Sequence, residues 1–307
     1  MIRASYADST WKSIQSQVRC YERFCNYFQL PLLPFTEDQA CRYAVYLGHI
    51  MDAPGTISNY ISGVKTLHKL EGFPPLPDFL SLPMVIKGIK RDMQHEVLRA
   101  KPIYPEHLLA MSKLIQSPQD EVYYTCFLVG FSIFLRKMNL VPDSTKEYSP
   151  QKQLSRGALR KHKGVYLAVL NWTKTKQFGE DRQVLPLVPN KNKAICPTYW
   201  LDRLTSGPGH PSDPLFAIRT AEGLIPITYR QAAERLRRWI IQMGLSPERY
   251  TLHGLRRGGA SWARVKRVPP DLIQKMGDWA SDAYKNYIET DLESRLKVAI
   301  ILAGHTL

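Results

Sequence analysis

Residues 251–288 read TLHGLRRGGASWARVKRVPPDLIQKMGDWASDAYKNYI and put a His, an Arg, a Trp and two Tyr close together after a long basic body. His253 and Arg256 stand three apart, so on a helix their side chains share a face and converge on one anion. Gly258 and Gly259 follow directly. Inside a helix each glycine costs about 1 kcal/mol relative to Ala, so the pair marks a place where another backbone, or a ligand, comes close. The rest of the chain reads as support for this stretch.

The length of 307 residues suits two domains, and 44% hydrophobic content excludes general disorder. Lys and Arg outnumber Asp and Glu by 42 to 27, a balance that fits a polyanionic partner. The excess is uneven: residues 1–100 hold 11 basic and 9 acidic side chains, and the remainder holds 31 and 18. The positive charge therefore gathers in the part that contains residues 251–288. Five cysteines without a C-x-x-C pair argue against a disulfide framework and a zinc site, and point to a reducing compartment. With no run of 18 apolar residues and no signal-type h-region in MIRASYADSTWK, the expectation is a soluble, unsecreted protein that does not enter a membrane.

Periodicity supplies the elements. Trp11, Ile14, Val18, Tyr21, Cys25 and Phe28 form one apolar face of a helix over 9–29. Thr36 and Gln39 make a capping box for a second helix with the stripe Ala40, Tyr43, Ala44 and Leu47, and Phe35 is placed as its staple. A third helix over about 55–70 turns Ile57, Ile61, Val64 and Leu67 inward and Lys65 outward, until Pro74, Pro75 and Pro77 stop the pattern. A fourth, 82–98, buries Ile86, Ile89 and Met93 and leaves Lys87, Lys90 and Arg91 on other faces, as a solvated basic surface. The segment AKPIYP at 100–105 reads as a linker.

Beyond it, a helix over 120–135 is apolar nearly all round and delivers Arg136 at its rim, where a guanidinium needs an anion: a structural carboxylate or a ligand. Val165, Leu167 and Val169 alternate before the turn residues 177–181 and the run 184–188, which reads as a hairpin with Lys174 near its tip and Lys176 on the same face. A short helix is expected near 197–204, and an amphipathic one over 228–243 with Ala232, Leu236, Ile240 and Met243 inward. Arg257 is expected to face solvent or a polyanion. Leu292, Leu296, Val298, Ile301 and Leu302 give a last apolar helix.

The pieces His253-Gly254-Leu255-Arg256, Gly277-Asp278-Trp279 and Asn286-Tyr287-Ile288 together resemble the tyrosine recombinase, or phage-integrase, family, in which an H-x-x-R pair is followed by a His or Trp and then a nucleophilic Tyr. Two further family parts match upstream: an Arg near the start of the catalytic domain, at Arg136, and a hairpin Lys, at Lys174 in Thr173-Lys174-Thr175. FLRKMNLVP and WTKTKQFGE look most like the Crypton and DIRS-like recombinases of eukaryotic mobile elements. The resemblance implies a mainly α protein: an N-terminal helical core-binding (SAM-like) domain over 1–99, a linker over 100–105, and an α+β catalytic domain with a small antiparallel sheet over 106–307. It implies double-stranded DNA as partner, Lys65, Lys87, Lys90 and Arg91 as DNA contacts, a homo-tetramer joined through the C-terminal helix, and a nuclear setting, or a cytoplasmic one where the eukaryotic likeness does not apply. One departure stands out: many relatives carry an acid three positions after the first Arg, where this chain has Asn139; Asp143 is the next acid along, and whether it substitutes is left open by the sequence.

The implied chemistry is transesterification at phosphorus without metal or cofactor. Arg136 and Arg256 clamp phosphate oxygens with planar forks, His253 orients or exchanges a proton, and Lys174 protonates the leaving 5′ oxygen. Trp279, where many relatives have His, donates only one hydrogen bond and positions. Tyr287, eight residues after Trp279, is the nucleophile; Tyr284, five after, is the alternative. A core histidine at 253 and packed aromatics at 284 and 287 are the plain structural readings. A DNA-binding protein without activity and a type IB topoisomerase are the competing functions.

Overall fold

The computed structural model describes residues 5–95, 99–173, 182–281 and 285. It divides into two compact units, Met1–Val97 and Leu98–Leu307. Among the described residues the first holds four helices: α1 (Asp8–Phe28), α2 (Glu37–Ile50), α3 (Pro54–Leu70) and α4 (Leu82–Asp92). The capping box at α2 forms as its sequence dictates, with the Gln39 amide N–H donating to Thr36 Oγ1 at 3.3 Å and the Thr36 N–H donating to Gln39 Oε1 at 3.2 Å. Ala40, Tyr43, Ala44 and Leu47 are wholly buried, against Tyr21 and Phe24 of α1 and Ile57, Ile61 and Val64 of α3.

Three expectations fail in this unit. Phe28 is half exposed while Phe24 lies inside, the Phe28 ring sitting at the rim against Phe24 and Tyr46. Helix α4 stops at Asp92 rather than 98, with Gln94 at φ 43° breaking the helical path. Ile86, Ile89 and Met93 are only partly buried there, and Leu82 is the buried anchor.

The second unit carries α5 (Pro105–Ser112), α6 (Pro118–Ser132), the one-turn α7 (Lys137–Leu140), α8 (Pro197–Thr205), α9 (Tyr229–Gln242), α10 (His253–Val265) and α11 (Pro270–Met276). Strands β1 (Leu159–His162), β2 (Val165–Leu170) and β3 (Gln183–Leu187) form an antiparallel sheet with β2 central. Leu159 pairs with Ala168, and Leu170 with Gln183. The buried face of β2 is Tyr166, Ala168 and Leu170. Both faces of this strand are apolar, so alternation alone could not choose between them. A second hairpin, β4 (Ala217–Thr220) and β5 (Gly223–Pro226), had no clear period-2 signal.

The architecture is thus mainly helical with a small antiparallel sheet. Among the described residues no helix is long and apolar enough to cross a membrane, and all five cysteines are free thiols.

Helix α6 is the spine of this unit, buried on nearly every side, with residues 122–130 all inside. It ends at Ser132, earlier than the apolar run suggests, and the chain reverses through Phe134 at φ 52° to leave Arg136 as the N-cap of α7. Helix α10 packs on α6, and its residues 254–261 are all buried.

Its glycines explain how it fits so closely. A side chain at Gly258 would overlap the carbonyl oxygen of Ile103, and one at Gly259 the carbonyl of Phe131 and the Phe134 ring. The stretch read as a linker is pinned to this helix and to the turn before it: the Lys101 N–H donates to the Arg249 carbonyl at 2.7 Å, the Ile103 N–H donates to the Gly254 carbonyl at 2.9 Å, and Ile103 is wholly buried. Burial of α10 also corrects the expectation for Arg257, which is 5% exposed and does not face solvent.

Gly258→Ala is therefore expected to destabilise the protein by about 3 kcal/mol in urea unfolding, the upper end for overpacking against rigid backbone. Gly88→Ala on α4, where an added methyl meets nothing within 4 Å, should leave stability unchanged or raise it by about 0.5–1 kcal/mol. Equal effects of the two would contradict this packing.

Candidate active site

The turn after α11 gathers the site. Gly277, Asp278 and Trp279 close the helix with Gly277 N–H donating to Ile273 O, Asp278 N–H to Lys275 O and Trp279 N–H to Gln274 O, at 3.1–3.2 Å. Asp278 adopts φ 52°, and a side chain at Gly277 would run into the Trp279 ring, so the turn is folded tightly on itself.

Two arginines from distant parts of the chain fasten to consecutive carbonyls of this turn. Arg256 Nη2 donates to Gly277 O at 2.6 Å, and its Nη1 donates to Phe134 O. Arg136 Nη2 donates to Asp278 O at 2.6 Å and its Nη1 to Asp278 Oδ2 at 2.9 Å. Consecutive carbonyls of this one turn thus hold one guanidinium each.

Arg256 is 2% exposed. Burying a guanidinium costs several kcal/mol unless its charge and N–H groups are met. Here two carbonyls and the indole of Trp279, whose ring centroid is 3.9 Å from the guanidinium carbon, meet them. A desolvated contact of that kind contributes on the order of 2 kcal/mol. Beneath the turn Trp279 joins Phe134, Ala260 and Ile273 in a small apolar cluster, which fixes the plane of the indole.

His253 opens α10, one turn before Arg256, with part of its ring exposed. The protein mass around it and the positive charges of Arg256 and Arg257 push its pKa below the ordinary imidazole value, so it is neutral at pH 7.

Of the six residues singled out for chemistry, the structure brings Arg136, His253, Arg256 and Trp279 together. Lys174 and Tyr287, with their alternatives Lys176 and Tyr284 and the C-terminal apolar segment, lie outside the described residues. The residue just before Lys174 is in place: Thr173 is buried and its Oγ1 donates to Asp278 Oδ2 at 2.7 Å.

Asp278 is the residue that sequence reasoning passed over. In the sequence it stands only as a spacer in Gly277-Asp278-Trp279, and the one signal for it is that Arg136 needs an anion. That anion is a carboxylate of the protein, as the plain structural reading allowed.

Asn139 is not a weakened acid. It is 1% exposed, and its Nδ2 donates to the carbonyls of Lys152 and Trp172, both at 3.0 Å, a job for two N–H groups that a carboxylate cannot do. Asp143 pairs with Lys137 at 3.4 Å on the surface and does not brace Arg136.

In the first unit Lys87, Lys90 and Arg91 are exposed at i, i+3 and i+4 on α4, and Lys65 is exposed on α3 with Nζ 4.7 Å from the Phe79 ring centroid. Among the described residues no group of three or more His, Cys, Asp or Glu stands together as a metal site.

No protein-family model matches the chain, and no curated protein does. Solved structures match it over nearly its whole length. A fragment of the Tn1549 transposon integrase in complex with transposon right end DNA aligns at TM-score 0.65 and 15% identity, covering 98% of this chain and 96% of that one. A lambda integrase fragment, in a dimer bound to a COC′ core site, aligns at 0.61 and 14%, covering 94% and 92%. XerH site-specific recombinase in a pre-cleavage complex with its difH substrate aligns at 0.57 and 17%, covering 87% and 71%.

Two measurements check this geometry. Asn139→Asp should cost about 3 kcal/mol in urea unfolding, because it sets a buried carboxylate against two carbonyls; an unchanged midpoint would contradict the assignment. By NMR titration the His253 imidazole should protonate below pH 6.5. Since the unfolded chain takes up that proton near pH 6.5, folding stability from this group is full above that pH. It is lost as pH falls toward the lower folded-state value. A midpoint at or above 6.5 would contradict the placement. The chain has the fold of the DNA-bound integrases and recombinases to which it is similar.

Proposed function

We propose that the chain is a tyrosine recombinase, a site-specific DNA recombinase that cuts and rejoins strands through a 3′-phosphotyrosyl intermediate. The observation that carries the reading is the pair of guanidiniums, Arg136 and Arg256, held on successive carbonyls of one turn with a neutral His253 a helical turn away. The fold, similar to that of integrases and recombinases solved on DNA, supports it.

In this account the scissile phosphate sits against Arg136 and Arg256, whose permanent charges stabilise the extra negative charge of the pentavalent transition state. The Tyr287 phenol, a poor nucleophile at its ordinary pKa of about 10, gives up its proton to neutral His253 as its oxygen bonds to phosphorus. The bond from phosphorus to the 5′ oxygen breaks, and Lys174 supplies the proton that makes the leaving group a 5′-hydroxyl. The phosphotyrosyl bond keeps the energy of the broken ester, so a 5′-hydroxyl from another strand reverses the step and reseals DNA with no nucleotide consumed. Trp279 holds Arg256 in plane.

Lys65, Lys87, Lys90 and Arg91 serve as phosphate contacts of a core-binding domain over 1–99, with the catalytic domain over 106–307. Such contacts are insensitive to sequence and sensitive to salt. Assembly is as a tetramer on DNA through the C-terminal apolar segment, and the wording around Arg136 and Lys174 favours the Crypton and DIRS-like branch and a nuclear setting.

A pool of nicked DNA duplexes, randomised around the nick so that cleavage traps the product, should yield a denaturant-resistant protein–DNA adduct with the native chain and none with Tyr287→Phe. An adduct retained by Tyr287→Phe would remove Tyr287 as nucleophile, with Tyr284 next in line. DNA binding with no adduct from the native chain would favour the inactive DNA-binding reading. Relaxation of supercoiled plasmid without regard to sequence would favour the topoisomerase.

A further inference from the structure

Asp278 meets three conditions at once. Its Oδ2 accepts from Arg136 Nη1 at 2.9 Å and from Thr173 Oγ1 at 2.7 Å, and its carbonyl accepts from Arg136 Nη2 at 2.6 Å. It does this from a left-handed backbone, φ 52°, where a glycine would sit at lower cost. What aspartate adds over glycine there is the carboxylate, and both contacts of Oδ2 named above run to parts of the proposed machinery: Arg136 itself, and the residue immediately before Lys174. The acid expected beside Arg136 by resemblance is missing. Position 139 is committed to two carbonyls, and Asp143 to Lys137.

We propose that Asp278 is a positioning residue for strand cleavage, a brace that has moved from the segment after Arg136 to the turn before Trp279 and sets the plane in which Arg136 grips the scissile phosphate. The inference rests on the recombinase reading and adds a residue to it. A guanidinium is planar, so two bonds to one partner fix both its position and its tilt. Because the neighbouring carbonyl, Gly277 O, holds Arg256, a single turn sets both arginines in register. Oδ2 also ties the base of the Lys174 segment to the same point through Thr173.

The test uses Asp278→Gly and Asp278→Asn, both compatible with the left-handed backbone, in the full chain. Adduct formation is timed on the nicked duplex pool and on the same pool with a neutral methylphosphonate at the linkage beside the nick. Arg136 acts on charged non-bridging oxygens, so a linkage lacking one of those charges depends less on it. Asp278→Gly should slow the phosphate reaction on the order of 100-fold, the cost of a group misplaced by about 1 Å, and Asp278→Asn by less. The methylphosphonate rate should stay within about twofold of native, and Arg136→Ala with Asp278→Gly should be no slower than Arg136→Ala alone, as residues acting in series require. A native rate on phosphate, or an equal loss on both substrates, overturns the inference while the native chain still forms adduct. No adduct from the native chain on either substrate overturns the recombinase reading and this inference with it.

Discussion

Two positive charges held at adjacent carbonyls of one turn are the constraint around which the second unit is organised. Like charges so close repel, and the arrangement stands because each guanidinium is met separately: Arg256 by Phe134 O, Gly277 O and the Trp279 face, Arg136 by both oxygens that Asp278 offers. The turn can do this only because Gly277 has no side chain to strike the indole and Asp278 tolerates a left-handed backbone. Phe134 lies at the other end of the same arrangement, its ring in the apolar cluster under Trp279 and its carbonyl on Arg256.

The same constraint reaches back into the fold. Arg256 arrives at the turn because α10 lies flush on the end of α6, and that approach needs glycine at 258 and 259, where the carbonyls of Ile103 and Phe131 occupy the space a side chain would take. Arg136 arrives because α6 ends at Ser132 and the chain doubles back through Phe134. A buried helix, two close approaches and one reversed turn thus bring stretches far apart in sequence to the 277–279 turn. Desolvating charges such as the buried Arg256 and the partly buried Arg136 adds little to stability for its cost.

Much of this was legible in the sequence, and the parts that were not have physical reasons. The stripe Ala40, Tyr43, Ala44 and Leu47 and the Thr36–Gln39 cap were readable because local periodicity and capping chemistry decide them. The glycine pair was readable as a close approach, though not which backbone approached. Asp278 was illegible because its partners stand 105 and 142 positions away and no local pattern records a contact of that range. Asn139 read as a lost acid because its type departs from the resembled pattern. Only its environment, two carbonyls needing two N–H groups, gives it its own function. Arg257 was misplaced since an arginine next to a glycine pair looks like surface until the helix is known to be enclosed.

The central claim is that Arg136 and Arg256 converge on a single phosphorus, with Asp278 and Trp279 behind them. Crystallographic determination of the Tyr287→Phe protein on a DNA duplex recovered from the adduct pool measures this directly. The account predicts one backbone phosphate with its non-bridging oxygens within hydrogen-bond distance of both guanidiniums and residue 287 facing the same phosphorus. DNA bound with that phosphate away from the 277–279 turn, or with only one of the two arginines in contact, would contradict it.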